Sequence, residues 1–236
     1  MVIVGLLIGG LLAPLAQQID QRNYSDTQKR IEYAREELLG FAIANGRLPC
    51  PASSASAGDE AFSSGFTCSN SYDGFLPAKA LGVQQVDSSG YAIDAYNSRI
   101  RYVLAPTITG TGCTNTAATN FSSSANLKAS GLQCLPTDLL ICSSSQAAGF
   151  NSSSCGTNNN LVNAKTVVAI VFSTGKNSVA GNATRYDEIA NTDANATFVY
   201  HTPTPSSASG GEFDDQMVWI SAGLLYGRMV SAGVLP

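Results

Sequence analysis

Charge is what this chain has least of. Charged residues are 13% of its 236 residues, about half the usual share of roughly 25%. A surface for nucleic acid or another polyanion needs clustered positive charge, and the net charge here is −4. In residues 1–47 the bases Arg22, Lys29, Arg30, Arg35 and Arg47 balance the acids Asp20, Asp26, Glu32, Glu36 and Glu37. The acidic excess therefore falls in the rest of the chain, and no nucleic-acid partner is expected. Histidine is nearly absent, with His201 standing alone. It cannot complete the usual Cys/His zinc sets. No C-x-x-C, G-x-S-x-G or H-E-x-x-H is present, which removes the commonest zinc, esterase and metalloprotease patterns. Ser173-Thr174-Gly175-Lys176 resembles the end of a phosphate loop, but its first glycine is missing and Asn177 replaces the hydroxyl residue. A non-enzymatic role without a cofactor is the expectation.

The missing charge is replaced by Ser, Thr, Asn, Gly and Ala, a composition suited to an extracytoplasmic surface. Hydrophobic residues reach 44%, enough to bury a sizeable core. Six cysteines stand at 50, 68, 113, 134, 142 and 155. An even count in such a chain reads as three disulfides made in an oxidising compartment. Nearness along the chain pairs Cys50 with Cys68, Cys113 with Cys134, and Cys142 with Cys155, one of fifteen arrangements.

Residues 1–16, MVIVGLLIGGLLAPLA, carry no charge. A membrane-spanning helix takes about 20 apolar residues, with about 17 as a lower limit. Nothing basic precedes the run, and helix-forming sequence follows it instead of a cleavage site. The segment is therefore expected to be a retained membrane helix lacking its first turns. Gly5 and Gly9 form a G-x-x-x-G, which lets helices approach closely in lipid. Pro14 has no N–H and clashes with the carbonyl of Gly10. Gly9, Gly10 and Pro14 thus form a weak, flexible stretch.

From Gln17 to Ala44 there is no proline and one glycine, Gly40. Ile31, Ala34, Leu38 and Phe41 repeat along one stripe of an amphipathic helix, and Asn45-Gly46 with Pro49 supplies the stop. One helix of about 45 residues, near 65 Å long, is predicted. The chain divides into a hydrophobic membrane or fibre-core segment (1–16), an amphipathic continuation (17–46) and a globular head (47–236). In the head, residues 99–104, 166–173, 197–201 and 216–221 read as strands, and the tail reads as a short helix broken by Gly233. A long helix followed by successive strands predicts an α+β fold: the helix laid on an antiparallel sheet, with disulfide-stapled loops. Oxygen ligands suited to calcium gather at Glu212, Asp214 and Asp215, just before the last strand. Asp193-Ala194-Asn195-Ala196-Thr197 alternates oxygens but lacks the glycine and final glutamate of an EF-hand loop.

The apolar VIVGLLIGGLLAPL with Pro14, the helix through QKRIEYAREELLGFAIANGRLPCP, and the later pieces DGFLPAKALG, DAYNSRIRYVL and FDDQMVWISAGLLYGRMVSAGVLP carry a likeness. The chain resembles the type IV pilin and type II secretion pseudopilin superfamily, marked by a prepilin-type N-terminal methylation segment. Met1 lies inside that segment, so the basic leader, the cleavage site and the family's early glutamate would precede it; roughly ten further residues would restore a span above about 20. The resemblance implies an inner-membrane single-pass subunit with a periplasmic head. Prepilin peptidase would process it, and pilus or secretion assembly machinery would build it into an extracellular helical homo-oligomeric filament through its N-terminal helices. The Gly9–Pro14 stretch would unwind on assembly, as in similar pilins. The alternative within the superfamily is a type II secretion pseudopilin acting in the periplasm.

Overall fold

The computed structural model describes residues 2–110, 120–162, 164–177 and 185–235, with the side chains of the first helix described from Leu15 onward. That helix, α1, runs Val2–Asn45. Its backbone is helical through Gly9, Gly10 and Pro14. Gly46 ends it with φ +68° and donates its N–H to the Ala42 carbonyl at 2.9 Å. A left-handed residue that caps a final carbonyl is glycine's usual work at a helix end.

Seven strands matter for the head: β1 (Gly74–Phe75), β2 (Arg101–Leu104), β3 (Leu140–Cys142), β4 (Asn160–Val162), β5 (Val167–Ser173), β6 (Thr197–Val199) and β7 (Gln216–Ser221). Two further helices are used below, α2 (Tyr186–Ala190) and α3 (Ala222–Ser231). The main sheet has the order β7-β5-β2-β1 and is antiparallel throughout. Every residue of β5 is buried. Its run of Val, Ile and Phe suits a central strand covered on both faces. Ile170 sits between Trp219 of β7 and Val103 of β2. Helix α1 lies across β7 and β5 and touches α3. Ile31, Ala34, Leu38, Leu39 and Ala42 are buried in that contact, and Phe41 packs at its margin. Ser221 caps α3, its Oγ accepting the Leu224 N–H at 3.2 Å, and Leu225, Tyr226 and Met229 face inward.

A smaller sheet has the order β4-β3-β6. The expected wholly antiparallel arrangement fails here, because β6 runs parallel to β3. The chain between them passes through β4, β5 and α2, the kind of long crossover a parallel pair requires. Disulfides join Cys50 to Cys68 and Cys142 to Cys155, with Cα separations of 5.3 and 5.4 Å. The first ties the exit of α1 to the loop beyond it, and the second hangs a hairpin on β3. The pairing of Cys113 with Cys134 lies outside the described residues.

The architecture is thus α+β, one long N-terminal helix packed on a sheet with two disulfide-bonded loops. The membrane and fibre-core part of the expectation is corrected. Among the described residues no helix is long and apolar enough to cross a membrane. Charges begin at Asp20, and Arg22, Asp26, Lys29 and Arg30 follow along the same helix. Each charge placed in hydrocarbon is costly. Several expectations rested on a spanning segment and fall with it: the transmembrane helix, inner-membrane attachment, the single-pass topology, and the extracellular homo-oligomeric filament with its prepilin peptidase and pilus assembly partners.

Candidate functional site

Three segments converge at one end of the main sheet. The turn after β5 carries Gly175, Lys176 and Asn177. Helix α2 carries Asp187 and Glu188. The lead-in to β7 carries Asp214 and Asp215. One oxygen from each of Glu188, Asp214 and Asp215 lies within 4.8 Å of the others, and among the described residues no other group of three or more His, Cys, Asp or Glu side chains is so arranged.

Local structure fixes each of them. Gly175 has φ +63°, and a Cβ there would stand 1.9 Å from Asp214 Oδ1. Only glycine lets this turn close over the carboxylate. The turn's Lys176 N–H donates to Asp214 Oδ2 at 3.3 Å, and Gly175 N donates to Ser173 Oγ at 3.1 Å. Glu188 Oε1 accepts the Asp214 N–H at 3.0 Å and the Asn177 amide at 3.3 Å. Its Oε2 accepts Arg185 Nη1 at 3.1 Å. Asp215 is buried, and its Oδ2 accepts Asn191 Nδ2 at 2.7 Å. Asn191 in turn pins β6, bonding both the N–H and the carbonyl of Val199.

Burial and mutual repulsion dominate the electrostatics. Burial raises Asp215 well above the ordinary aspartate value despite the Asn191 bond, and the charges of Glu188 and Asp214 push the same way. Asp214 is pushed up to about 7, first by burial and then by Glu188, against the Lys176 N–H. Glu188 is also raised by burial, although Asp214 N–H, Asn177 and Arg185 all favour its charged form. Burial and like charge together favour the protonated, neutral form of these acids.

Of the sequence candidates, Asp214 and Asp215 meet here and Glu212 is replaced by Glu188. Asp193 and Asn195 bond each other apart from this group. The weak phosphate-loop likeness is resolved by the sign of its neighbour: Gly175 faces a carboxylate, where a phosphate would be repelled. His201 is held within the head. Its Nε2 lies 3.1 Å from Asp187 Oδ2, its Nδ1 lies 2.7 Å from the Thr202 carbonyl, and its ring stacks on Phe213 at 3.9 Å. Asp187 Oδ1 accepts the Ser145 N–H and Oγ, both at 2.6 Å. The carboxylate therefore stands between imidazole and hydroxyls, whereas a nucleophilic triad needs the imidazole in the middle. Arg99 is engaged by Asp87 at 2.7 Å and lies over the Tyr91 ring at 4.0 Å, and Arg101 pairs with Asp73.

Comparison with known proteins finds no matching family model, no matching curated protein and no matching solved structure.

Proposed function

We propose that this chain is a non-catalytic pseudopilin-like subunit of a type II secretion machine, acting in the periplasm through contacts with other proteins. The observation that carries the reading is the use of α1. Between Thr27 and Ala42 one face is spent on the sheet, while Leu15 to Arg22 is exposed on all sides. Leu15 and Ile19 stand one turn apart in that free stretch and are each about half exposed. A helix that docks on its own head over one stretch and offers residues 15–22 outward is suited to engaging a neighbour. The two disulfides fit an oxidising compartment such as the periplasm. The two ring nitrogens of the single histidine lie against the Asp187 carboxylate and the Thr202 carbonyl, neither of them a hydroxyl or thiol that the imidazole could activate, which favours binding over chemistry.

The test is disruption of the gene in the encoding bacterium, with exported proteins measured in the periplasm and the medium. The reading expects exoproteins to accumulate in the periplasm and the full chain, supplied in trans, to restore export. Undiminished export after disruption overturns it.

A further inference from the structure

We propose that the cleft between the docked part of α1 and residues 76–100 receives the carboxyl end of a partner polypeptide whose last side chain is apolar. The inference rests on the proposed role in contacts with other proteins, and it names the chemistry of one such partner.

Size and lining come first. The cleft encloses about 300 Å³. A cavity of roughly 150 Å³ accepts benzene, and ligand pockets start at about 300 Å³. The room therefore suits two benzene-sized groups: one large side chain and the chain end that carries it. Helix α1 supplies Ala34 to the wall, and the head supplies Leu76, Ile93 and Ile100. Ala34, Leu76 and Ile100 are buried in the core, so this wall is fixed before anything binds. An apolar side chain entering it leaves water, which is favourable in proportion to the area covered.

Charge decides what the side chain is attached to. Arg30 lines the cleft, and its Nη1 donates to the carbonyls of Ile93 at 3.0 Å and Asp94 at 2.7 Å. Among the described residues its Nε and Nη2 make no hydrogen bond, and Arg30 makes no ion pair. A guanidinium carries five N–H donors in a rigid fork. Held by one arm, it keeps the Nε–Nη2 edge for a carboxylate, a two-point contact that a lysine cannot copy. Lys29 also lines the cleft, 3.3 Å from Asp26, and Arg22 approaches the same carboxylate at 3.8 Å. The Asp94 carboxylate, which also feels Arg30, is taken by the Ser173 hydroxyl and by the Tyr96 and Ser98 N–H groups. Three cations against these two acids leave a positive excess, so the complementary ligand is an anion. Inorganic phosphate would use the fork and leave the apolar wall bare, whereas a carboxylate on an apolar body uses both. Gln85 lines the cleft as well, and among the described residues its side-chain amide makes no hydrogen bond. It has a donor and an acceptor to offer a peptide group. A free acid has no such group; the end of a polypeptide does.

The full chain, disulfides intact, is titrated near neutral pH and low salt while its amide NMR signals are followed. The probes are acetyl-Ala-Ala-Leu with a free carboxyl end, the same peptide amidated, and 4-methylpentanoate, which is leucine without its amino group. The proposal expects saturable shifts gathered at Ala34, Ile93 and Ile100 with the acid-ended peptide, at a Kd between about 10 μM and 1 mM. The amidated peptide should bind at least about tenfold more weakly, and 4-methylpentanoate more weakly than the acid-ended peptide. Arg30→Lys keeps the charge and loses the fork, so it should weaken binding about tenfold. Asp26→Asn removes the competing carboxylate and should tighten it about two- to fivefold. Unmoved signals at about 10 mM acid-ended peptide, well past saturation for that range, overturn the proposal. So do shifts gathered elsewhere, equal affinity for acid and amide, or unchanged affinity in Arg30→Lys. Binding of 4-methylpentanoate as tight as that of the peptide overturns the choice of a polypeptide end. The comparison of probes needs no substitution, so it decides even if a variant does not fold. Peptide binding alongside undiminished export after gene disruption removes the secretion role and keeps the site; blocked export alongside failed binding removes the site and keeps the role.

Discussion

At the exit of α1 one side chain organises several others. Arg47 clasps Glu60 with two bonds, Nη1 to Oε1 at 2.7 Å and Nη2 to Oε2 at 2.9 Å. The same Oε1 accepts the Cys50 N–H at 2.8 Å, and the guanidinium lies 5.1 Å from the centre of the Phe41 ring. Both charged side chains are largely buried, 15% and 12% exposed. Removing one partner of such a pair leaves the other charge desolvated and alone. Glu60→Ala should therefore cost on the order of 3 kcal/mol in a urea melt, and Glu60→Gln, which keeps an acceptor, clearly less. Asp87 makes a different prediction at the surface of the head. Burial alone would raise its pKa, but the Tyr91 N–H, the Arg99 guanidinium and the Ser89 N–H outweigh it and hold Asp87 below the ordinary 3.8. A group held lower in the folded state gives stability above the unfolded value, and that stability fades as pH falls through the folded one. Asp87→Asn should lower the urea midpoint at pH 7 and lose that deficit below about pH 4. An equal deficit at pH 7 and pH 3 would contradict the charge-based account.

The elements divide by how much of their cause lies close in sequence. The unbroken VVAIVFS of β5 and the QMVWIS of β7 announce strands because β-branched and aromatic residues crowd there. The stripe on α1 announces its buried face, and Asn45-Gly46 announces its end. Other elements gave no such notice. A helix at Ser124–Ser130 sits in a Ser- and Asn-rich stretch, and its local signal is Ser123, whose Oγ accepts the Asn126 N–H at 3.4 Å. The parallel β3-β6 pair joins strands far apart in the chain, and no local pattern encodes that register. The docked and undocked parts of α1 can be told apart by substitution. Leu38 is fully buried and Ile19 is 52% exposed. Leu38→Ala should cost about 3 kcal/mol from lost burial and the cavity left behind. Ile19→Ala should stay within about 0.5 kcal/mol. Equal costs in a urea melt would mean that the helix is not seated on the sheet as described.

Across the whole molecule, legibility follows distance. Asp214 and Asp215 could be read as candidate ligands because they are adjacent. Glu188 could not, since it lies 26 residues before Asp214 on a helix of five residues, too short to show a period. Glu212 was favoured by adjacency alone, whereas the fold brings in a side chain from across a crossover. The membrane expectation rested on the uncharged apolar residues 1–16, whereas among the described residues no helix is long and apolar enough to cross a membrane. What remains is a molecule of uneven cohesion, and hydrogen exchange can measure it. Strand β5 is buried along its length and bonded on both edges, so its amides should open only with the whole domain, at about 5–15 kcal/mol. Residues 31–42 of α1 share that core and should be nearly as well protected. Residues 15–22 have no sheet behind them; Asp20 meets the head through Lys176 and the Tyr96 hydroxyl, and the stretch otherwise depends on the helix ladder, which is marginal in water without packing. Their protection should fall close to zero free energy. Equal protection at 15–22 and 31–42 would show that another surface covers the free stretch, and the case for an outward-facing helix would fail there, since a covered stretch is no longer available to a partner.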